Sequence, residues 1–330
     1  MTEPKGRGAA WTEERGTSDE GRRRLKGAPE ASGEKERAEN TALVERSAAA
    51  YVSAVPDHPQ DDGFFGPASV TWRVTSDLSA PVAGLRSLLM QALHPLAMAG
   101  VDQHSDWRLD PVGRLAATSG YETTVTYGDR ASAARVAQRV RAIHTRVRGV
   151  DTVTGQPYAA EDPTLLLWVH AALVDSALAA STLFGTPLAG ADADAYVGEM
   201  TIAAELLGVP HEIIPASVAG LGRYLADVRP ELRCTPAAAE SMGYLLDPPG
   251  LDSDIAELWQ DIRDAVIGAL PDWARQEYGY PAPAPVTAER RTEIRQALGV
   301  LDAVFLAEPG VLEARQRLAL RMRSAGSKAG

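Results

Sequence analysis

Any transition-metal or acid–base chemistry in this chain has to run through six histidines and the carboxylates, because the single cysteine, Cys234, leaves no thiolate cluster. Four of the six stand in informative contexts. His144 falls in "RVAQRVRAIHTRVRGVD", Arg135 to Asp151. At helical spacing Val136, Val140, Ile143 and Val147 gather on one side of that segment, and His144 sits at the edge of their arc. Arg141 and Arg148, at i−3 and i+4, lie just past it. An imidazole between an apolar face and guanidinium groups suits a ligand that is part apolar and part anionic, and haem, with its macrocycle and two propionates, has that character. An interfacial histidine capping a carbonyl, beside solvated arginines, reads the same way from the helix alone.

His170 lies in "LLLWVHAALV", apolar on nearly every face, so the ring needs a hydrogen bond or a ligand; an unsatisfied buried imidazole costs on the order of 1–3 kcal/mol. In a polar-in-apolar stretch, His94 precedes a proline and His104 sits in a polar turn with Asp102, Ser105 and Asp106. Their spacing matches no compact metal signature, and a structural turn is the plainer reading. Further on, Arg114 and Thr118 stand at i and i+4 and share one helix face, offering a fixed cation and a hydroxyl. The chain has no G-x-S-x-G, no H-E-x-x-H, no Walker loop and no G-x-G-x-x-G, so serine hydrolase, zincin, P-loop and Rossmann readings lack their motifs.

The elements that position these residues are helical. "GLRSLLMQALHP" places Leu85, Leu88, Leu89, Ala92 and Leu93 at helical spacing, and Pro95 breaks or restarts that helix at His94. Asp162-Pro163 is a cap followed by a first-turn proline and opens an apolar helix through Phe184. A helix from about 190 to 207 ends at Gly208, and Thr235-Pro236 opens another. Further helices are expected near 252–270, 287–304 and 310–323. The one β-like run is "YETTVTY", Tyr121 to Tyr127. The expectation is an all-α domain of roughly ten helices over residues 58–330. Residues 1–57 read as a disordered segment, rich in Gly, Glu, Arg and Ser and without apolar periodicity. Phe64 and Phe65, in a linker-like stretch, are expected to dock onto the domain.

Composition narrows the partners. The chain has 330 residues, 45% of them hydrophobic, enough for a sizeable core. A formal charge of −11 argues against a nucleic-acid role, which needs net Lys and Arg on a face. The longest apolar run carries His170 and Asp175 and reads as a core helix rather than a membrane span. One cysteine and no secretory h-region point to a cytoplasmic protein.

Taken in order, "LLMQALHPLAMAGVDQHSDW", "PVGRLAATSGYETTVTYGD", "VRAIHTRVRGVD" and "YAAEDPTLLLWVHAALVDS" resemble the DUF2236 family, the MpaB or rubber-oxygenase catalytic domain, over roughly residues 65–300. The resemblance implies an all-helical fold with a globin-related core, haem b as cofactor, and oxidative cleavage of a carbon–carbon double bond in a hydrophobic small molecule by dioxygen. It implies that His144 is the proximal iron ligand and that Arg114 and Thr118 belong to the distal pocket. Arg141 and Arg148 are then the expected propionate partners. The chain departs from the latex clearing proteins at Ala117, where they carry a lysine, and it has no counterpart near Met98 for their glutamate. His170 falls at a polar pocket position of that subgroup and is expected to fill the distal space left by Ala117. Two other readings stand beside the oxygenase: a non-catalytic haem or hydrophobic-ligand binding protein, and a haem-free helical domain. The substrate, any electron donor and the oligomeric state are not written in the sequence.

Overall fold

Short polar residues and prolines set the helix starts. In the computed structural model, which describes residues 49, 52–53, 61–109, 111–248, 253–280, 286–306 and 309–328, helix α1 (Val70–Thr75) opens on Ser69, whose side chain accepts from the Trp72 amide. α2 (Ala80–Ala92) carries a proline in its first turn. α3 (Pro95–His104) starts one residue after His94, which is extended (φ −86°, ψ 113°), as a residue before proline prefers. α4 (Pro111–Tyr127) and α5 (Arg130–His144) follow. α6 (Pro163–Phe184) opens with Asp162 accepting from the Thr164 amide at 2.8 Å. α7 (Gly190–Leu207) ends on Gly208, whose φ of 101° is left-handed and suits glycine. α8 (Val218–Val228), α9 (Pro236–Leu246, capped by Thr235), α10 (Ser253–Ala269), α11 (Asp272–Glu277), α12 (Ala288–Leu306) and α13 (Pro309–Lys328) complete the thirteen helices among the described residues.

The fold class is the expected one, all-α, with more helices than the ten anticipated. The run Tyr121–Tyr127 is not extended. It is the last two turns of α4, where Thr123 and Thr124 donate their hydroxyls to the carbonyls of Ser119 and Gly120, both at 2.7 Å. Back-bonding of this kind lets β-branched threonines sit in a helix, and burial of Val125, Thr126 and Tyr127 settles the choice. The two strands lie elsewhere, in a hairpin of β1 (Arg148–Val150) and β2 (Pro157–Ala159) that pairs Gly149 with Tyr158. Asp151 closes its loop by accepting from the amides of Val153 and Thr154. Residues 49, 52 and 53 are helical; the rest of the segment expected to be structureless, 1–57, and the capping residue Asp110 lie outside the described residues.

α2 and α6 form the most extensive contact between elements, at the centre of the core. Ala171, Ala172 and Ala180 of α6 are fully buried, and small side chains there let neighbouring helices approach closely. α6 is long and apolar enough to cross a membrane by length and composition, but its buried Leu167, Trp168, Val174 and Phe184 pack inside the protein. Phe65 docks against the main core and against a second cluster of Trp72, Tyr127, Ala314 and Leu318. In that cluster Trp72 donates its indole N–H to the Thr126 carbonyl at 2.8 Å, fixing the end of α4 against α1.

One buried side chain joins three helices. Arg86 of α2, 3% exposed, donates Nε to the Ala269 carbonyl (2.8 Å), Nη1 to Ser176 Oγ (2.6 Å) and Nη2 to Asp175 Oδ2 (2.7 Å). Removing the arginine strands all three acceptors. Arg86→Met should therefore lower stability by about 3–5 kcal/mol, the cost of breaking a buried pair from one side. Asp175→Asn should cost less, since that side chain keeps some water contact. Urea denaturation of both variants checks the order; equal small losses would mean that Arg86 is not the clamp it resembles.

Candidate functional site

A cavity of about 310 Å³ opens between α2, α3, the N-terminal half of α4, the end of α5 and the start of α6. That is within the usual range of small-molecule sites. Its walls are mainly apolar, with Leu88, Leu96, Met98, Val101, Leu165 and Val169 among them. The polar groups on it are few: Arg114, Thr118, His104, His144, Tyr158 and Tyr244 with two small side chains and Gln91. Of the predicted site residues, the fold thus brings His144, Arg114 and Thr118 to one cavity.

His144 is the last residue of α5, capped by Thr145. The helical arc predicted around it is only partly apolar core. Ala133 and Ala137 are the buried residues of α5, while Ile143, 45% exposed, and Val147, beyond the helix end, line the cavity with His144. Burial lowers the pKa of His144, and the charge of Arg114 lowers it further, so the ring is neutral at pH 7 and keeps a free lone pair. Its Nδ1 is buried without a hydrogen-bond partner.

Arg114 touches the solvent of the cavity, yet protein crowds it on the remaining sides, and that desolvation lowers its pKa. It has no hydrogen-bond or ion-pair partner among the described residues. Thr118 donates its hydroxyl to the Arg114 carbonyl at 3.1 Å, leaving the oxygen to accept. Ala117, between them, is exposed and does not line the cavity.

Three placements differ from expectation. Arg141 is exposed and does not line the cavity. Arg148 is also exposed, and its guanidinium already pairs with Glu161 and donates to the Thr145 carbonyl, both at 2.7 Å. It sits in β1 rather than one turn further along a helix, because α5 stops at His144. His170 is buried, but it is not on the cavity wall; Leu166 and Val169 of α6 are. It has no hydrogen bond to another described residue, and burial drops its pKa to about 4.

Sequence reasoning missed two neighbours. His104, read as part of a polar turn, ends α3 and faces the cavity, with Nε2 3.1 Å from Tyr158 Oη. Tyr158 in turn donates to Gln103 Oε1 at 2.8 Å. The tyrosine is delivered by the hairpin, whose Gly149 leaves room for it: a Cβ there would lie 2.8 Å from Tyr158 Oη. Three-residue strands give too short a pattern to be read. His94, the partner once considered for His104, is buried away from the cavity with Glu231 at 3.6 Å. Among the described residues no three His, Cys, Asp or Glu side chains gather as a metal site.

The fold and site together define a helical protein with a largely apolar small-molecule cavity that has the imidazoles of His144 and His104 on its wall, with the guanidinium of Arg114, which has no partner among the described residues. The sequence comparison gives the family: residues 72–303 match "ER-bound oxygenase mpaB/B'/Rubber oxygenase, catalytic domain", and the chain belongs to that family. It is an oxygenase catalytic domain in that general sense. No curated protein and no solved structure matches the chain.

His170 gives a pH test of the core beside the site. Its folded pKa lies below the ordinary value of about 6.5, so its neutral form stabilises the fold fully above that pH and the contribution is lost as pH falls toward 4. The full effect is on the order of 3 kcal/mol. Glu122, whose pKa is raised to about 7, works in the opposite direction over an overlapping window. The readout is therefore a difference: wild-type protein should lose more stability than His170→Leu between pH 7 and pH 5. Parallel pH profiles would show that His170 is not held neutral by burial.

Proposed function

We propose that the cavity binds haem b with His144 as axial ligand, and that the protein is a haem-dependent oxygenase of a hydrophobic small molecule with dioxygen as co-substrate. The observation that carries the proposal is His144 itself: a neutral imidazole at a helix end, with a buried and unpartnered ring nitrogen, on the wall of an apolar cavity. The donor set suits this group. A porphyrin supplies four of the iron's ligands and asks the protein for one nitrogen, whereas a non-haem site needs several side chains together. Family membership supports oxygen chemistry; a carbon–carbon double bond as the group attacked is part of the proposal.

Bound haem would supply the activation of dioxygen; the chain supplies binding, orientation and electrostatics. His144 offers its lone pair without first losing a proton. Arg114, without a partner among the described residues, presents a positive charge to the cavity and is placed to stabilise any negative charge that develops there. Thr118 accepts a hydrogen bond at the same wall. Leu88, Leu96, Leu165 and Val169 exclude water and favour an apolar substrate. With Arg141 and Arg148 directed elsewhere, Arg114 is also the cavity-facing cation for a propionate. One observation favours a non-catalytic binder as the second reading: Ala117 points to solvent, so no second cation stands beside Arg114. Oxygen uptake with a candidate alkene separates the two readings.

His144→Ala should lose the Soret band or shift it strongly after haem reconstitution, while His104→Ala keeps it. A His144→Ala protein with wild-type spectrum and occupancy would refute the ligand assignment. The companion variant is Arg114→Ala. Loss of a charge-assisted donor of about 1.5–3 kcal/mol should weaken azide binding to the haem-loaded protein roughly ten- to a hundredfold at normal haem content. Loss of haem instead would make Arg114 a propionate partner.

A further inference from the structure

A second, smaller cavity of about 90 Å³ lies next to the first along four shared helices. On α4 the lining passes from Thr118 to Tyr121 and Glu122, and on α6 from Val169 to Leu173. On α7 it passes from Leu207 to Ala203, and on α2 from Leu88 to Gly84. Each step is three or four residues, so the two cavities are about one helical turn apart, roughly 5–6 Å.

The inner cavity holds an unpaired acid. Glu122 is enclosed by protein, and the surface it keeps is cavity wall. It has no hydrogen-bond or ion-pair partner among the described residues. The hydroxyl of Tyr121 beside it is buried and also without a partner. The nearby carboxylate of Glu199 is already committed, accepting from the amides of Val70 and Thr71 (3.1 and 2.8 Å) and from the Thr71 hydroxyl (2.7 Å). No lysine or arginine lines this cavity among the described residues. The other titratable group facing Glu122 is Tyr196 of α7, which burial and the two carboxylates hold protonated. α1, α2 and α6 contribute only the hydroxyls of Thr75, Ser79 and Ser181.

We propose that the inner cavity is a binding subsite for the ammonium group of an aliphatic amine, with Glu122 as its counter-ion and the tyrosine oxygens as further acceptors. An ammonium has three donors and no acceptor, which matches a carboxylate flanked by tyrosine oxygens. Its alkyl stem would run past Leu173 toward the outer cavity. A cation removes the penalty of an unpaired buried carboxylate, whereas an alcohol or carbonyl meets only the protonated acid. The subsite does not require haem in the outer cavity.

The test is calorimetric titration of the full chain with n-octylamine, n-octanol and octanoate between pH 6 and pH 8.5. Glu122 titrates near pH 7 without a ligand, so an ammonium must displace its proton below that value. Octylamine affinity should rise about fivefold between pH 6 and pH 7 and level off within about twofold above that. Glu122→Gln should lower that affinity at least tenfold and flatten the pH dependence, leaving octanol unchanged. Tyr121→Phe, which tests the same cavity without touching the acid, should weaken octylamine several-fold. The proposal is overturned if octylamine does not bind, if octanol or octanoate binds as well, or if Glu122→Gln keeps wild-type amine affinity. The last result, with a shifted haem spectrum, would place the amine in the outer cavity and leave the haem assignment standing.

Discussion

The three hydrogen bonds of Arg86 are the constraint on which the rest depends. They hold α2, α6 and the end of α10 in one register at the centre of the core. α2 and α6 also provide walls for both cavities, so the positions of Leu88, Leu165, Val169 and Leu173 follow from that register. A guanidinium suits the task because its planar fork satisfies a carbonyl, a hydroxyl and a carboxylate at once. α4 packs against α5 and α1 and is fixed at its far end by the Trp72 indole on the Thr126 carbonyl. The opposite end of α4 carries Arg114 and Thr118 into the larger cavity.

The titratable groups along α4 and around it share a pattern. His144, His170 and Arg114 are shifted down and Glu122 is shifted up, and desolvation is the first cause in every case. Each shift favours the neutral form. Structural ion pairs, such as Arg108 with Asp102 and Glu240, favour the charged forms instead. Of the groups shifted by desolvation, His144, Arg114 and Glu122 face cavities and have no ion-pair partner among the described residues, the arrangement expected where a ligand completes the interactions.

Local chemistry was legible in the sequence; long-range placement was not. The starts of α3, α6 and α9 and the end of α7 depend on prolines, caps and a glycine within a few residues, and all were read correctly. Tyr121–Tyr127 was misread because strand propensity ignores the i−4 carbonyls that threonine hydroxyls find in a helix. Arg148 was carried one turn too far on a helix that stops at His144. His170 was recognised as buried, but which side of α6 faces the cavity depends on α2 and α7, which no local pattern encodes. Arg114 and Thr118 were paired from their spacing and stand together on the cavity wall. The ordered motifs pointed to the family over roughly 65–300, and the family match spans 72–303. Glu122 is not legible in the sequence, because a lone glutamate in a polar-looking stretch gives no sign of being enclosed.

The central claim is an iron bound by His144, and vibrational spectroscopy reads that bond directly. Resonance Raman spectra of the reduced, haem-loaded protein should contain an iron–histidine stretching band that shifts to lower frequency when histidine is labelled with heavy nitrogen. The band should be missing from haem-reconstituted His144→Gly and return, without the isotope shift, when unlabelled imidazole is added to the labelled variant. A haem-loaded protein with no histidine-sensitive band, or one whose band survives the loss of His144, would contradict the account.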